Sequence, residues 1–254
     1  MSMVEKSWLV LDAFAPGGGP MRLDELTGRS GLPRSTVHRL LTRLVEVGSV
    51  ERCPDGFHLG RKLFELGAMV PVERGLRNAA LPFMEDLYIA THEAVHMGVM
   101  DNFDVVYVEK IYGHRVFTMP SRVGGRLPLT CTAIGKVMLA HAEPEFVDAV
   151  LAQPLRRLTA HSMTDPARLA ENLTEIQLSG IAYEHEEVQL GGSSLAAPVF
   201  ENGQVVAALS VAVPLERFQP VRLGPAVKTA ALALSRQLTN SRRRPDPGNP
   251  LPNN

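Results

Sequence analysis

The sequence has few cysteines, no long uninterrupted apolar run and almost no net charge. Cys53 and Cys131 are its two cysteines, and neither has a CxxC or CxxH companion, which argues against a disulfide framework and a thiolate metal site. Residues 4–14 are partly apolar, but Glu5 and Asp12 interrupt them, and no stretch approaches the roughly 18 apolar residues of a membrane span. These absences predict a cytoplasmic protein without an export signal or a membrane partner.

Length and composition favour an ordinary globular chain with two domains. The 254 residues exceed a typical single domain of about 100 to 200 residues, so one small and one medium domain are expected. Hydrophobic residues make up 45% of the chain, charged residues 21%, and the formal net charge is −1. Because the net charge gives no support for a nucleic-acid partner, any basic surface has to be local.

The first 60 residues carry the pattern of three helices followed by a hairpin. The first predicted helix ends at a PGGGP segment, and its apolar positions at helical spacing are Val4, Trp8, Leu11 and Phe14. A second helix is predicted from about 24 to 30. A tight turn through Gly31 and Pro33 leads into a third, since the fixed φ of proline suits a helix start. Strands at 50–52 and 57–59 then flank the segment 53–56 (CPDG), where Asp-Gly predicts a tight hairpin turn because this pair tolerates positive φ.

The third predicted helix has an apolar side for packing and a polar side for contact with DNA. The apolar stripe consists of Val37, Leu40, Leu41, Leu44 and Val47. Ser35, Thr36 and Arg39 are candidates for the major groove, where arginine can bond guanine in bidentate fashion, and arginines nearby suit phosphates. The complete predicted DNA-binding set is Pro33, Arg34, Ser35, Thr36, His38, Arg39, Arg43 and Arg52.

The local charge around this helix leaves a plainer alternative open. Residues 22–62 contain eight Lys or Arg and five Asp or Glu, a mild excess of +3. Taken alone, such a polar helix face is as well explained by contact with solvent as by contact with DNA. The turn before the helix and the hairpin after it, which together make a winged helix-turn-helix, favour DNA.

Behind this unit the pattern becomes mixed α/β. A helical connector reaches Pro82, helical spacing continues through Leu87, and Asn202-Gly203 predicts a hairpin. Strands are predicted at 94–100, 105–110, 116–119, 181–184, 195–200 and 205–213, and helices at 132–141, 144–151, 166–179 and 223–238. A loop is predicted from 122 to 128, and Asp165 and Gly180 are expected to cap and to end the helix at 166–179. The predicted boundaries are a winged helix-turn-helix at 1–69, a helical linker at 70–81, an α/β domain at 82–240 and a disordered tail at 241–254.

Several spaced motifs resemble those of the IclR family of bacterial regulators. Residues 31–41 (GLPRSTVHRLL) resemble its recognition-helix signature, and 125–136 (GRLPLTCTAIGK), Glu186-Glu187 and 196–199 (AAPV) follow in the family's order. The resemblance covers residues 4 to about 238. It implies an α+β fold in which a winged helix-turn-helix is joined by a helical linker to a GAF-like effector-binding domain. It also implies dimers or tetramers that read a roughly palindromic operator.

The resemblance also implies a pocket for a small-molecule effector in the second domain. Its residues would be Val116 and Leu127 as walls, Ala133 and Ile134 through their backbone, and Glu184, Ser194 and Ser210 as polar contacts. Ser194 stands where the family often has cysteine and Thr130 where histidine is common, which leaves the ligand open. For the apolar members, plain core packing is an equal alternative.

The residues themselves indicate the chemistry of that effector. Free N–H groups where the helix begins after Thr132 suit a carboxylate, and an ionised Glu184 favours a hydroxyl, amine or hydrazide donor. We therefore expect a small organic acid, aromatic in the preferred case, or an amide or hydrazide derivative, and no cofactor. Ligand binding is expected to change operator affinity through the connector; relief of repression is the family's habit, and activation stays open.

Two motifs raise enzymatic alternatives. Residues 92–96 match HExxH, which in zinc hydrolases needs one helix across all five positions. The strand-like run from residue 94 instead suggests that His92 ends a helix and His96 lies in a strand. Residues 191–194 lack the GxSxG elbow and are expected to be a loop. We expect no catalytic or metal site; a zinc hydrolase and a sensor that acts only through protein contacts remain the alternatives.

Overall fold

The computed structural model describes residues 1–14, 19–113 and 120–241, without the side chains of 71–74 and 241. It divides into two compact units, Met1–Arg74 and Gly75–Asn254, called unit 1 and unit 2 below. The predicted strand at 116–119 lies outside the described residues, and so does the predicted tail except for its first residue. The predicted domain boundaries at 69, 81 and 240 stay predictions.

Unit 1 contains three helices, a hairpin and a short fourth helix. The helices are α1 (Met3–Asp12), α2 (Leu23–Ser30), α3 (Arg34–Glu46) and α4 (Arg61–Gly67), and the strands are β1 (Val50–Cys53) and β2 (Gly56–Leu59). Gly31 ends α2 in the left-handed conformation, with φ of 65°, and Pro33 directly precedes α3. Four of the five residues of the predicted α3 stripe are buried, so the predicted inward face is confirmed for them.

Only part of the predicted apolar face of α1 packs inward: Phe14 is buried and Leu11 is partly buried against the core of unit 1, whereas the other two positions are exposed. Val4 and Trp8 are 66% and 58% exposed, whereas Val10, Ala13 and Phe14 are buried in the core of unit 1. These three positions have i, i+3, i+4 spacing, so they form one stripe on their own. Val47 is also exposed, because α3 ends at the residue before it.

The hairpin turn lies at 53–56 as predicted, but its central residues differ from expectation. Cys53 pairs with Gly56, so the two turn residues are Pro54 and Asp55, and only Gly56 of the expected Asp-Gly pair has positive φ. Gly56 has φ of +138°, and a Cβ there would lie 2.3 Å from the Met21 carbonyl oxygen. Met21 forms a β-bridge with Phe57, so glycine is needed for the close approach of this third segment to the hairpin.

Unit 2 is a six-stranded antiparallel sheet with helices on both faces. Its strands are β3 (Ala94–Asp101), β4 (Asp104–Ile111), β5 (Arg126–Pro128), β6 (Ala182–His185), β7 (Gly192–Glu201) and β8 (Gln204–Pro214), in the order β5-β4-β3-β8-β7-β6. Its helices are α5 (Pro71–Thr91, which begins in unit 1), α6 (Ala133–Leu139), α7 (Pro144–Leu151), α8 (Pro166–Ser179) and α9 (Pro220–Ser241).

The two faces of the sheet follow from the alternation of side chains along its strands. One face, called the α6 face, packs small residues such as Ala196 and Ala208 against α6, α7 and α8. The opposite face, called the α9 face, packs Leu195 and Leu209 against α5 and α9. Adjacent residues of β7 and β8 therefore belong to different cores, and polar residues on the α6 face share one compartment.

Local signals predicted several of these elements, while others differ from expectation. Asp165 caps α8 and Gly180 ends it, and Asn202-Gly203 forms the β7–β8 turn with positive φ at both residues, as predicted. The helical connector was expected to end at Pro82, but helix α5 continues through this proline to Thr91. Strand β5 lies in a predicted loop, and β7 begins at Gly192, so the predicted loop at 191–194 is wrong. Among the described residues, no helix is long and apolar enough to cross a bilayer.

Candidate functional site

The outer side of α3 is a continuous polar surface of unit 1. Pro33, Arg34, Ser35, His38, Arg39 and Arg43 are exposed, Thr36 is half-buried, and Arg52 is exposed on β1. Pro33 supplies no side-chain hydrogen bond to the first turn of α3. The start of α3 therefore offers backbone N–H groups, short hydroxyls and cations together, which is the set that binds phosphates and base edges.

The arginines of this surface differ in their ion pairs. Arg34 pairs with Asp24, and Arg43 pairs with Glu46 at 2.7 Å, all through exposed side chains. Exposed ion pairs contribute about 0–1 kcal/mol, so a phosphate can replace either carboxylate at little cost. Within the described ranges, Arg39 makes no ion pair and no side-chain hydrogen bond.

The wing carries its cation over an aromatic ring. The Arg52 guanidinium lies 5.3 Å from the centre of the Phe57 ring on the paired strand, and Phe57 itself bridges to Met21. The ring restricts the rotamers of Arg52 without neutralising its charge. Arg52 could therefore contact a phosphate at the hairpin. It lies on β1, the element that follows α3 in the chain.

The HExxH residues do not form a zinc site. Helix α5 ends at Thr91, His92 has φ of 57°, and His96 lies in β3, so the two histidines are not one helical turn apart. Glu93 forms an ion pair with Arg217. In the part of the chain that the structure describes, no three His, Cys, Asp or Glu side chains could hold a metal together.

Three of the predicted effector residues share the α6 face of the sheet. Glu184 on β6 pairs in register with Ser194 on β7, and Ser210 on β8 pairs with Ala196, two residues further along β7. All three are buried. Ala133 and Ile134, also buried, form the first turn of α6 above this face, and Leu127 is half-buried in β5. Val116 lies outside the described residues.

Glu184 is the most strongly constrained of these side chains. Its Oε1 accepts the backbone N–H of Glu187 at 2.6 Å and that of Val188 at 3.1 Å, and its Oε2 accepts the Ser194 hydroxyl at 2.9 Å. Burial raises the pKa of Glu184 to about 7, although these hydrogen bonds act in the opposite direction. Near neutral pH, Glu184 can therefore change its proton at little cost when a ligand binds.

The sequence reasoning missed four further polar residues on or beside this face. His96 pairs in register with Ser210 on one side and with Lys110 on the other, and its Nε2 lies 2.9 Å from the Ser121 hydroxyl. Tyr107 stands edge-on to His96, with 5.5 Å between ring centres. Burial and the charge of Glu184 raise the pKa of Tyr107, so its hydroxyl stays protonated. A histidine within the otherwise apolar run 94–100 was a usable signal.

A buried ion pair ties the start of α6 to the loop after β6. Lys136 pairs with Glu187, and both side chains are at least nine-tenths buried. The Thr132 hydroxyl accepts the Gly135 N–H and so caps α6. Since the Glu187 amide also donates to the Glu184 carboxylate, Glu184 is connected to α6 through one residue.

The α9 face offers a different cavity. A groove of about 450 Å³ lies between α5 and α9, lined mainly by apolar side chains with Asp86 and Thr229 as polar members. It contains none of the predicted effector residues. The α6 face differs from this groove in that several buried polar groups converge there, and converging polar groups are what fix the orientation of a small ligand.

The winged helix-turn-helix of unit 1 and the sheet with buried polar groups of unit 2 define a class of protein, the DNA-binding transcriptional regulators with a ligand-binding domain. Comparison with known proteins agrees. The model of the IclR helix-turn-helix domain matches residues 3–54, and the model described as bacterial transcriptional regulator IclR C-terminal matches residues 70–236. The chain belongs to the IclR family.

Individual relatives carry the same description. The HTH-type transcriptional regulator KdgR of Escherichia coli is 35% identical over 223 residues, covering 85% of this chain and 85% of that protein. KdgR of Dickeya chrysanthemi is 36% identical over 200 residues, covering 77% of this chain and 66% of that protein. A crystal structure of an IclR homolog complexed with 4-hydroxybenzoate, from Microbacterium hydrocarbonoxydans, has a TM-score of 0.84 and 30% identity, and covers 94% of this chain and 100% of that one.

Proposed function

We propose that this regulator is a repressor that a small organic acid releases from its operator. The effector is an aromatic acid in the preferred case, or an amide or hydrazide derivative, and it binds on the α6 face against Glu184, Ser194 and Ser210. The observation that carries this proposal is the convergence of these buried polar side chains beside the first turn of α6. The 4-hydroxybenzoate bound to the structural relative supports the same ligand class.

The DNA-binding half of the proposal assigns roles along α3 and the wing. Ser35, Thr36 and Arg39 read bases in the major groove, and Arg34, Arg43 and Arg52 hold phosphates. Pro33 and His38 lie at the edge of the contact. The exposure of this set and the absence of an ion pair at Arg39 in the described residues support these roles. The partner is a roughly palindromic operator, bound by a dimer or tetramer of the chain.

The proposed effector residues combine apolar pocket walls with a few polar groups. Leu127 and Val116 form walls, and the first amides of α6, at Ala133 and Ile134, contact the ligand through their N–H groups. Because the pKa of Glu184 is near 7, it can donate a proton to the ligand or accept one from it. The proposed domain boundaries remain 1–69, 70–81 and 82–240.

Calorimetry on the full chain tests the effector half. Benzoate, 4-hydroxybenzoate and 4-hydroxybenzamide are titrated into the wild type and into Ser194→Ala and Ser210→Ala. Loss of one hydrogen bond to the ligand should weaken binding about 3- to 10-fold. Thr229→Phe, which fills the α5–α9 groove at an exposed position, is the matched control. Normal binding by both serine variants together with loss in Thr229→Phe would move the effector to the groove.

A reporter under the chain's own upstream DNA tests the repressor half. Deletion of the regulator should raise expression, and an effector identified by calorimetry should do the same in cells that contain the wild type. Coupling between ligand and operator is commonly about 1 to 3 kcal/mol, so the expected change in operator affinity is about 5- to 150-fold. Expression that falls on deletion would make the protein an activator.

A further inference from the structure

One row of polar side chains crosses the α6 face beyond the residues assigned to the effector. Lys110 on β4, His96 on β3 and Ser210 on β8 are direct partners in register. Directly opposed residues of antiparallel strands project to the same face of a sheet. Lys110 therefore lies in the same compartment as Ser210, two strands away from it.

The ammonium group of Lys110 is held at a fixed place. Lys110 Nζ donates to the Ser121 carbonyl oxygen at 2.7 Å and lies 3.4 Å from the Ser121 hydroxyl oxygen. That hydroxyl also lies 2.9 Å from His96 Nε2, so the cation and the imidazole meet at one buried serine. The flexible lysine is thereby brought to the part of the face where His96 lies.

The charge on Lys110 is not balanced by a carboxylate within the described ranges. The other buried cation near this face, Lys136, is paired with Glu187. His96 supplies no charge, because burial and the nearby Lys110 lower its pKa to about 3. In the described residues this half-buried ammonium contacts neutral groups, the Ser121 oxygens and the ring of Tyr112, whose centre lies 4.8 Å from Nζ, so an anion that arrives beside it would supply the missing counter-charge.

The first turn of α6 lies over the same strand. A Cβ added to Gly98, two residues after His96 on β3, would come within 3.0 Å of Ile134 Cγ2. Ile134 is one of the residues whose backbone is proposed to contact the effector. The first turn of α6 therefore lies over the strand on which His96 pairs with Lys110, whereas Glu184 on β6 lies three strands away from β3.

We propose that Lys110 binds the anionic group of the effector and that Ser121 and His96 position its ammonium. This inference rests on the proposed effector site. It gives that site two unlike ends, a cationic end at Lys110 and a carboxyl end at Glu184. The ligand class that fits is an acid with a carboxylate at one end and a hydrogen-bonding hydroxyl or amine at the other, since a second carboxylate would be repelled by Glu184.

Titration of a charged and an uncharged probe into the full chain tests the role of Lys110. The probes are 4-hydroxybenzoate and 4-hydroxybenzamide, which share shape and hydroxyl group. The variants are Lys110→Met, which removes the charge but keeps an unbranched side chain of similar length, and Lys110→Arg, which keeps the charge. Lys228→Met, at an exposed lysine of α9, is the control.

The inference predicts that Lys110→Met weakens 4-hydroxybenzoate binding about tenfold or more and leaves the amide within about twofold of wild type. Lys110→Arg should recover most of the loss, and Lys228→Met should show none. Equal losses for both probes, or no loss for either, would overturn the role of Lys110 while leaving the effector site in place. If the wild type binds neither probe, the proposed effector class is wrong and the inference fails with it.

Discussion

Arg39 and Arg52 are both exposed cations of unit 1, yet their surroundings predict different defects. Arg39 projects from the middle of α3 and has no ion pair in the described residues, so it is free to read a base edge. Arg52 lies over Phe57 in the wing, where a phosphate is the natural partner. Base contacts specify sequence, whereas phosphate contacts only position the protein.

For Arg39→Ala we expect a loss of about 1–3 kcal/mol in the preference for operator over scrambled DNA. For Arg52→Ala we expect both DNAs to be bound more weakly and the salt slope to fall by about 1. Fluorescence anisotropy with both duplexes measures these changes, and Arg236→Ala, at an exposed arginine of α9, is the control. A uniform loss for Arg39→Ala would assign Arg39 to the phosphates.

The carboxyl of Glu184 predicts a pH dependence of stability. Burial raises its pKa from 4.5 to about 7, so the folded protein holds this proton more tightly than the unfolded chain. The resulting stabilisation is fully present below the unfolded pKa and is lost as the pH rises towards 7. By pH 8 the ionised group costs the folded state up to about 3 kcal/mol.

Glu184→Gln keeps the shape of the neutral acid and cannot ionise. Denaturant unfolding at about pH 5 and pH 8 should therefore show a smaller loss of unfolding free energy in the variant, by about 2 kcal/mol. Glu201→Gln, at the end of β7, controls for the loss of a carboxylate elsewhere. The same pH dependence in wild type and Glu184→Gln would contradict the raised pKa.

At the scale of elements, α5 contains an exposed proline in its middle. Pro82 removes one backbone hydrogen bond and its ring crowds the preceding turn, at a cost of about 3 kcal/mol or more in a regular helix. Pro82→Ala should raise the free energy of unfolding by about 1–3 kcal/mol, measured by denaturant titration, while Glu85→Ala on the same helix should change it by under about 0.5 kcal/mol. A destabilised Pro82→Ala would mean that α5 packs only when bent there.

The cap of α6 gives a second prediction at this scale. Thr132→Ala removes the acceptor for the Gly135 N–H, which should cost about 1 kcal/mol of stability. Because the backbone of Ala133 and Ile134 is proposed to contact the effector, we expect ligand affinity to fall as well. Thr132→Ser, which keeps the hydroxyl, should restore both properties, as measured by unfolding and calorimetry. Unchanged ligand affinity in Thr132→Ala would remove the start of α6 from the effector site.

Elements whose signals are local could be predicted from the sequence. The Asp165 cap, the Gly180 stop and the Asn202-Gly203 turn depend on the conformations of one or two residues, and all were found as predicted. Strand β5 exists because it pairs with β4, and the first residues of β7 are in the sheet because Gly192 and Ser193 pair with the far end of β8. No periodicity within a short segment reports such partners.

The candidate site shows the same division. The outer face of α3 could be predicted from the sequence, because the apolar stripe of a single helix determines which residues point away from the core. The row from Lys110 through His96 to Ser210 could not be predicted in this way. It depends on the register of three strands and on the position of a bulge at Met97/Gly98. His96 was singled out only as part of an HExxH pattern, which the end of α5 at Thr91 breaks.

At the scale of the whole molecule, the proposed switch is a difference in ligand affinity between two states of the chain. A ligand with equal affinity for the operator-binding state and the released state would change nothing, however tightly it bound. The Lys136–Glu187 pair links Glu184 to α6, so it is a place where the two states can differ. Reciprocity then requires that operator DNA weaken effector binding by the same factor as the effector weakens operator binding.

Binding of the full chain to its own upstream DNA over a salt series tests most directly whether the outer face of α3 lies in a DNA groove. We predict that the logarithm of the binding constant falls linearly with the logarithm of salt concentration, by about 0.9 per phosphate neutralised. We also predict that wild type, but not Arg39→Ala, prefers this DNA over a scrambled duplex at every salt concentration. Wild-type protein that ignores its upstream DNA, or binds it without salt dependence, would contradict a DNA-reading role and favour a sensor that acts through protein contacts.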